Sequence, residues 1–356
     1  MKWWLCLVVL LLPALTSGSP ADPVAEADAL LLSHRYSGVV RVSRGSVVLF
    51  ERAYGLASIE YQAPVRVDTR FGIASISKLY TAVLVEQLAS QGRLEYDAPI
   101  SRYLPDYRGE GGPVVTIRQL LSHTSGIANS DTVGSFEQAV TEGLPMYQLP
   151  ATPRQLTDRY ASGKLVHPPG ATFDYNNADY LILGRIVEAV TGLSYPEVLQ
   201  RQLLVPLGLH DTGMRDWRTV APPVATAYLC FAADAPCIHE LPVYHQNWDA
   251  AGGLYATAAD VARFSDALFS GQVLPPDRLE HLLTVERDEY AEGLWVAPVN
   301  VQGRVDRVAH RPGQVMGANT QLLRYVNDGL TVVMLSNTTS TPMDETSFAI
   351  ARMFSY

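Results

Sequence analysis

The chain has 356 residues and a formal net charge of −9 at pH 7, with 47% hydrophobic residues, which is ample for a large core in one compact unit or two closely packed ones. The acidic balance is spread out and no basic patch exists, which argues against nucleic acid as a partner. After residue 15 no run of 18 apolar residues occurs, so nothing later reads as a membrane span.

Lys2 is followed by an apolar run over residues 3–15, interrupted by Pro13, and then by the small residues Thr16, Ser17, Gly18, Ser19 and Ala21. This reads as a signal peptide over 1–21, too short and too broken for a good membrane span. Cleavage would leave about 335 residues, move the net charge from −9 to −10 by loss of Lys2, and put the protein in the periplasm or outside the cell with no stable membrane anchor. A helix follows over Val24 to His34. Gly38–Val42 and Val47–Glu51, joined through Ser43-Arg44-Gly45, have a hairpin pattern. The stretch Arg70–Thr81 passes from a Gly-containing turn into an apolar helix that runs to about Gln91, with Gly92 as its stop.

From there to about residue 290, helical periods alternate with Pro- and Gly-marked loops. The helices are Ile117 to His123, Thr152 to Ser162, Tyr180 to Thr191 capped by Gly192, Pro196 to Leu204, and Thr257 to Phe269. The last of these opens with capping-box spacing, Thr257 to Asp260. The chain then returns to strands: Leu294–Val301, Val305–Ala309, Gln321–Tyr325 and Leu330–Leu335, the last two joined by an Asn327-Asp328-Gly329 turn. A helix over Asp344 to Phe354 closes it. The expected class is α/β (α+β): an antiparallel sheet built from both chain ends and flanked by helices, with a large, mostly helical insertion. Residues 22–90 and 292–356 would form the sheet subdomain and 91–291 the helical one.

Two of the three cysteines, Cys230 and Cys237, survive leader removal. In an oxidising compartment they are expected to pair and close a small loop, two free thiols being the alternative. Too few ligands surround them for a metal site.

Ser75-Ile76-Ser77-Lys78 carries the sharpest chemical signal. A serine where a helix begins meets free backbone N–H groups and the positive end of the helix dipole, and a lysine one turn on shares its face. The chain has only three lysines, Lys2, Lys78 and Lys164, against 24 arginines. Where a plain positive charge suffices, this sequence uses Arg. A desolvated Lys can give up its proton and Arg cannot, so a lysine kept at 78 points to proton transfer beside a nucleophile. A second candidate is Tyr175-Asn176-Asn177, on a loop fixed by Pro168-Pro169-Gly170: a phenol as acid or base and an amide to position substrate. The third is Ala309–Gly317, read as a Gly-rich turn or edge strand, where a cation could face a substrate carboxylate and a backbone N–H could complete an oxyanion hole. Leu120–Gly126 reads as a helix end whose His123 and hydroxyls cap carbonyls. The chain has no His-Glu-x-x-His, Gly-x-Ser-x-Gly, Walker or Gly-x-Gly-x-x-Gly motif. The other histidines are scattered, and no metal or cofactor is expected.

Together these motifs resemble the serine β-lactamase and penicillin-binding-protein superfamily, most nearly its class C branch of D-Ala-D-Ala carboxypeptidases, D-aminopeptidases and esterases. The likeness runs through Phe71–Lys78, Gly92–Ile100 with Tyr103-Leu104-Pro105, Thr116–Gly126, Pro168–Asn177 and Ala251–Thr257. It implies a β-lactamase/transpeptidase-like fold, Ser75 as acylated nucleophile, Lys78 as the residue that helps deprotonate it, Tyr175 as general base and acid, Asn177 as the positioning amide, and the Ser75 N–H as half of the oxyanion hole. The third motif departs from the family's Lys or His, one residue, then Gly. The spacing of Gly313 to Gly317 puts Arg311 in the cation position with Gln314 N–H as second oxyanion donor. Keeping His310 as the cation needs an extra residue and puts Pro312 where Gly belongs. The expected activity is that of a serine hydrolase on a small-molecule or short-peptide ester or amide. The alternatives are a β-lactamase, or a penicillin-binding or peptidoglycan-sensing protein that acylates with little turnover.

Overall fold

The computed structural model describes residues 22–129, 131, 135–220, 222–231 and 236–355, so the expected leader lies outside the described residues. Helix α1 (Pro23–Ser33) starts with Pro23 at its first position and with Asp22 accepting from Val24 N, and so needs no tertiary contact to fix its beginning. β1 (Gly38–Arg44) and β2 (Val47–Tyr54) form the hairpin seen in the sequence. After α2 (Ser77–Ser90) and the helical middle of the chain come β3 (Trp295–Val301), β4 (Arg304–Val315), β5 (Ala318–Tyr325) and β6 (Leu330–Ser336). One antiparallel sheet joins both chain ends in the order β3-β4-β5-β6-β1-β2.

Both faces of this sheet are covered, so its central strand β6 is buried at every residue and, but for Thr331 and Ser336, apolar. Alternation divides the side chains between two layers. Val40, Val42, Leu323, Val332 and Met334 join α1 and the terminal helix Met343–Met353 in one apolar cluster. Val39, Leu322, Val333 and Leu335 join the larger cluster shared with the central helices. Helix α2 belongs to that second layer and is buried on nearly every side, which makes it a core helix rather than an amphipathic surface one. It packs against the helix Asn177–Thr191 and the helix Pro276–Leu282, while the turn before it packs on β4 and β5.

Two readings of the sequence need correction. The Ser75 helix starts later, at Ser77. Ala74–Ile76 form a tighter 3₁₀ turn, entered through Ala74 at φ 48°, a left-handed conformation costly for a residue with a Cβ. The segment 309–317 is not a Gly-rich turn: residues up to Val315 continue β4, and Met316-Gly317 alone make the hairpin turn to β5. Pro312 and Gly313 made the stretch look unlike a strand. Pairing with β3 stops at Trp295↔His310, however, so residues 311–315 bond to β5 on one side only, and such a local edge accepts proline.

Cys230 and Cys237 are disulfide-bonded. The Cys230 N–H donates to Thr339 Oγ1 and its carbonyl accepts from the same hydroxyl, which ties the small loop to the segment after β6.

Candidate active site

The 3₁₀ turn sets Ser75 at the floor of a cavity of about 490 Å³, lined also by Tyr175, Trp295, Arg311, Gln314, Thr341 and Asp344 among others. Lys78, in the first turn of α2, is fully buried. Its Nζ donates to Ser75 Oγ at 3.2 Å, to Asn177 Oδ1 at 2.6 Å and to the Ala251 carbonyl at 2.8 Å. The Tyr175 hydroxyl donates to Ser75 Oγ at 2.8 Å. Lys78 and Tyr175, the latter a hundred residues away in sequence, thus meet at the Ser75 hydroxyl, with Asn177 held on Lys78.

Arg311 supplies the opposite wall and is 1% exposed. Its Nε donates to the Ser75 carbonyl at 2.7 Å and its Nη2 to the Tyr175 hydroxyl at 2.5 Å. Its guanidinium lies 5.2 Å from the Tyr175 and Trp295 ring centres and 5.9 Å from that of Tyr290. Taking a charge this far from water costs several kcal/mol, offset here by charge-assisted hydrogen bonds and the three aromatic faces. His310, one residue earlier on β4, faces the other side of the sheet. Its ring meets Phe348 and Trp295, and it does not line the cavity.

Gly313 makes the close approach possible. A Cβ there would lie 2.6 Å from Thr320 Oγ1 and 2.9 Å from both Ile73 O and Ser75 N. Pro312, without an N–H, can pair with Gln321 only at a non-hydrogen-bonded position of the ladder. Gln314, two residues on, occupies the same kind of position. Its N–H therefore points away from β5, over the open edge where Ser75 sits.

The electrostatics follow from this packing. Burial pushes the Lys78 ammonium down to about 8, with the Arg311 charge assisting and Tyr175 opposing. Burial alone would raise the Tyr175 phenol; Arg311 and then Lys78 outweigh it and bring it down to about 8. Two groups that both ordinarily titrate near 10 thus titrate together at about 8.

Several supporting residues carry little sequence signal. His123, read as a helix cap, is a wholly buried pillar beneath Tyr175, ring centres 4.4 Å apart, and its Nδ1 takes the Asn176 N–H at 3.3 Å. Asp179 Oδ2 lies 3.0 Å from the same nitrogen, and Ser125 Oγ donates to Asp179 Oδ1 at 2.6 Å. Burial raises the Asp179 carboxyl far above the usual carboxylate range and holds His123 neutral, so the pair supports the loop without adding net charge. Asp131 accepts from Asn177 Nδ2 at 2.5 Å and from the Tyr147 hydroxyl at 2.6 Å, fixing the Asn177 amide with its oxygen toward Lys78.

A family model described as Beta-lactamase matches residues 25–352. Penicillin-binding protein 4* of Bacillus subtilis (strain 168) is 26% identical over 328 residues, covering 85% of this chain and 68% of that protein. Esterase EstB of Burkholderia gladioli is 35% identical over 197 residues, or 52% of this chain, which spans about half (49%) of the esterase. The crystal structure of a penicillin-binding protein from Bacillus halodurans superposes with a TM-score of 0.77 at 28% identity, over 92% of this chain and 99% of that one. The fold, the constellation around Ser75 and a family match over nearly the whole described length agree: the chain belongs to the Beta-lactamase family of serine hydrolases.

Proposed function

We propose that the chain hydrolyses uncharged esters or amides through an acyl-enzyme on Ser75. The observation that carries the reading is the Ser75 hydroxyl held at 2.8 Å by Tyr175 and 3.2 Å by Lys78. When the pair has lost a proton, the Tyr175 oxygen accepts the Ser75 proton as Oγ attacks the substrate carbonyl carbon. The oxyanion that forms lies between the Ser75 and Gln314 N–H groups, and each such donor is worth about 3–4 kcal/mol in the transition state. Tyr175 then returns the proton to the departing alcohol or amine. In the second half-reaction it takes a proton from the water that attacks the acyl carbonyl and passes it to Ser75 Oγ as the Oγ–acyl bond breaks. Lys78 and Arg311 hold the phenolate, and Asn177, its oxygen on Lys78 and its Nδ2 on Asp131, positions the ammonium.

Arg311 narrows the substrate class. Among the described residues lining the cavity it is the one cation, and its Nε and Nη2 are already bonded to Ser75 O and the Tyr175 hydroxyl. Its Nη1 lies 3.5 Å from the Tyr290 hydroxyl, so most of the fork is engaged, and a substrate carboxylate would also face Asp344. This favours a neutral ester or amide over a β-lactam or a free C-terminal D-peptide. The leader-like start and the disulfide support action in the periplasm or outside the cell.

The test is a panel of p-nitrophenyl esters, neutral D-amino-acid amides, a D-Ala-D-Ala peptide and a fluorescent penicillin, read by turnover and intact mass. The expected outcome is turnover of the neutral substrates, lost by at least about 10³-fold in Ser75→Ala. A stable penicillin adduct without ester turnover would replace this reading with a slow, penicillin-binding one. Rapid penicillin hydrolysis would make the chain a β-lactamase.

A further inference from the structure

A second polar cluster is buried behind α2, away from the cleft. Glu86 lies eight residues beyond Lys78 on that helix, about 12 Å along its axis. His281 is on the last turn of the helix Pro276–Leu282, and Glu292 immediately precedes Gly293, which packs on the Lys78 carbonyl. His281 Nδ1 is 2.7 Å from Glu86 Oε1 and 3.3 Å from Glu292 Oε1, and a ligand atom from each of the three residues lies within 4.8 Å of the others. The Glu86 side chain is 0% exposed and that of Glu292 4%. The remaining oxygens, Glu86 Oε2 and Glu292 Oε2, are buried without a donor. The neighbouring charged and titratable groups are few. Arg118 Nη1 is 3.4 Å from His281 Nε2 and is held by Asp97 and Glu286, while the Tyr96 phenol lies against Glu86 and meets Arg278 Nη1 at 3.5 Å. One imidazole thus faces two buried carboxylates, and such a group needs further positive charge, either a proton or a cation, between the acids.

We propose that Glu86, His281 and Glu292 bind a divalent transition-metal ion of the zinc class, through one oxygen of each carboxylate and His281 Nδ1, with a fourth position for water. A mixed oxygen and imidazole donor set suits such an ion, whereas magnesium and calcium take oxygen ligands. Bonds of about 2.0–2.2 Å in a tetrahedral site separate the ligand atoms by about 3.3–3.6 Å. The His281–Glu292 pair already meets this, and the His281–Glu86 pair must open by roughly half an ångström. His281, 28% exposed at the end of a short helix, can make that movement and leaves a route inward. The ion would join α2, the helix of His281 and the segment before β3 behind Lys78. It serves as a strut and takes no part in hydrolysis.

The full chain, stripped with a chelator and dialysed, is titrated with Zn²⁺ and with Co²⁺, and bound metal, the cobalt spectrum and the thermal midpoint are recorded. The expected result is one zinc per chain at micromolar metal, with a rise in thermal midpoint. Glu292→Gln and His281→Asn each weaken binding by at least about tenfold, whereas Arg118→Met, which removes the opposing guanidinium, tightens it. A folded parent that retains no stoichiometric zinc overturns the proposal and leaves a shared proton in the cluster. Equal binding by parent and Glu292→Gln overturns it as well. Ser75→Ala is expected to bind metal as the parent does, so this reading and the hydrolytic one fail separately.

Discussion

The two ends of α2 handle buried charge in opposite ways. At the N-terminal end, Lys78 and Arg311 face acceptors on every side: Ser75, Asn177, Ala251 and Tyr175 take their hydrogen bonds. At the far end, Glu86 and Glu292 share a single imidazole, and each keeps an oxygen with no donor. A site with a surplus of cations depresses a phenol and readies it as a base. A site with a surplus of carboxylates holds protons or recruits a metal. The same buried helix therefore carries an excess of cations at one end and an excess of carboxylates at the other.

That contrast can be broken at the cationic end first. Tyr175→Phe removes the base while leaving Arg311 and Lys78 in place, and is expected to lower kcat for a neutral ester by about 10²–10⁴-fold, measured by steady-state kinetics on the folded variant. In the parent, the reactive form is the one that has lost a proton from the Lys78–Tyr175 pair. kcat/KM should therefore rise with pH to a plateau, with its midpoint near the value of about 8 shared by the two groups. A flat profile between pH 6 and 9 would remove the pair from the proton-transfer step.

Gly313→Ala tests the geometry rather than the charge. The added Cβ pushes β4 off Ser75 N, and a displacement of this kind costs about 10²-fold in kcat with little change in the near-neutral titration. Arg311→Lys replaces a planar fork with a mobile ammonium. Ester turnover should fall by about tenfold as the Ser75 carbonyl and Tyr175 lose paired donors, while acylation by a penicillin, which bears a carboxylate, should accelerate, as read by intact mass. The smallest kinetic effect belongs to the acidic end. His281→Ala strips two buried carboxylates of their cation and should cost about 3 kcal/mol in denaturant unfolding, while kcat per folded molecule stays nearly constant.

Much of the cleft was legible from local pattern. Ser75 and Lys78 stood out because one turn separates them and lysine is almost absent elsewhere, whereas Tyr175-x-Asn177, a weak signal by itself, gained its weight from the family resemblance. The strand through Arg311 was not. Pro312 and Gly313 resemble a turn until the pairing of β4 with β3 is seen to end at Trp295↔His310, which creates a short edge inside the sheet. His123 looked like a helix cap because its partner, Asp179, is 56 residues away and nothing local announces a buried acid–imidazole pair.

The sequence by itself determined the order of elements and the nucleophile segment with its lysine, and it raised the pairing of Cys230 with Cys237 as the expectation, because each depends on neighbours within a few residues or on a residue type used sparingly. Tertiary structure decided which cation faces Ser75: strand alternation turns Arg311 into the cleft and His310 toward Phe348. It also decided that Glu86, His281 and Glu292, scattered over more than 200 residues, form one cluster. Long-range packing sets which side of a strand is inward and which distant acids share a burial site, and those two facts govern how the buried groups titrate.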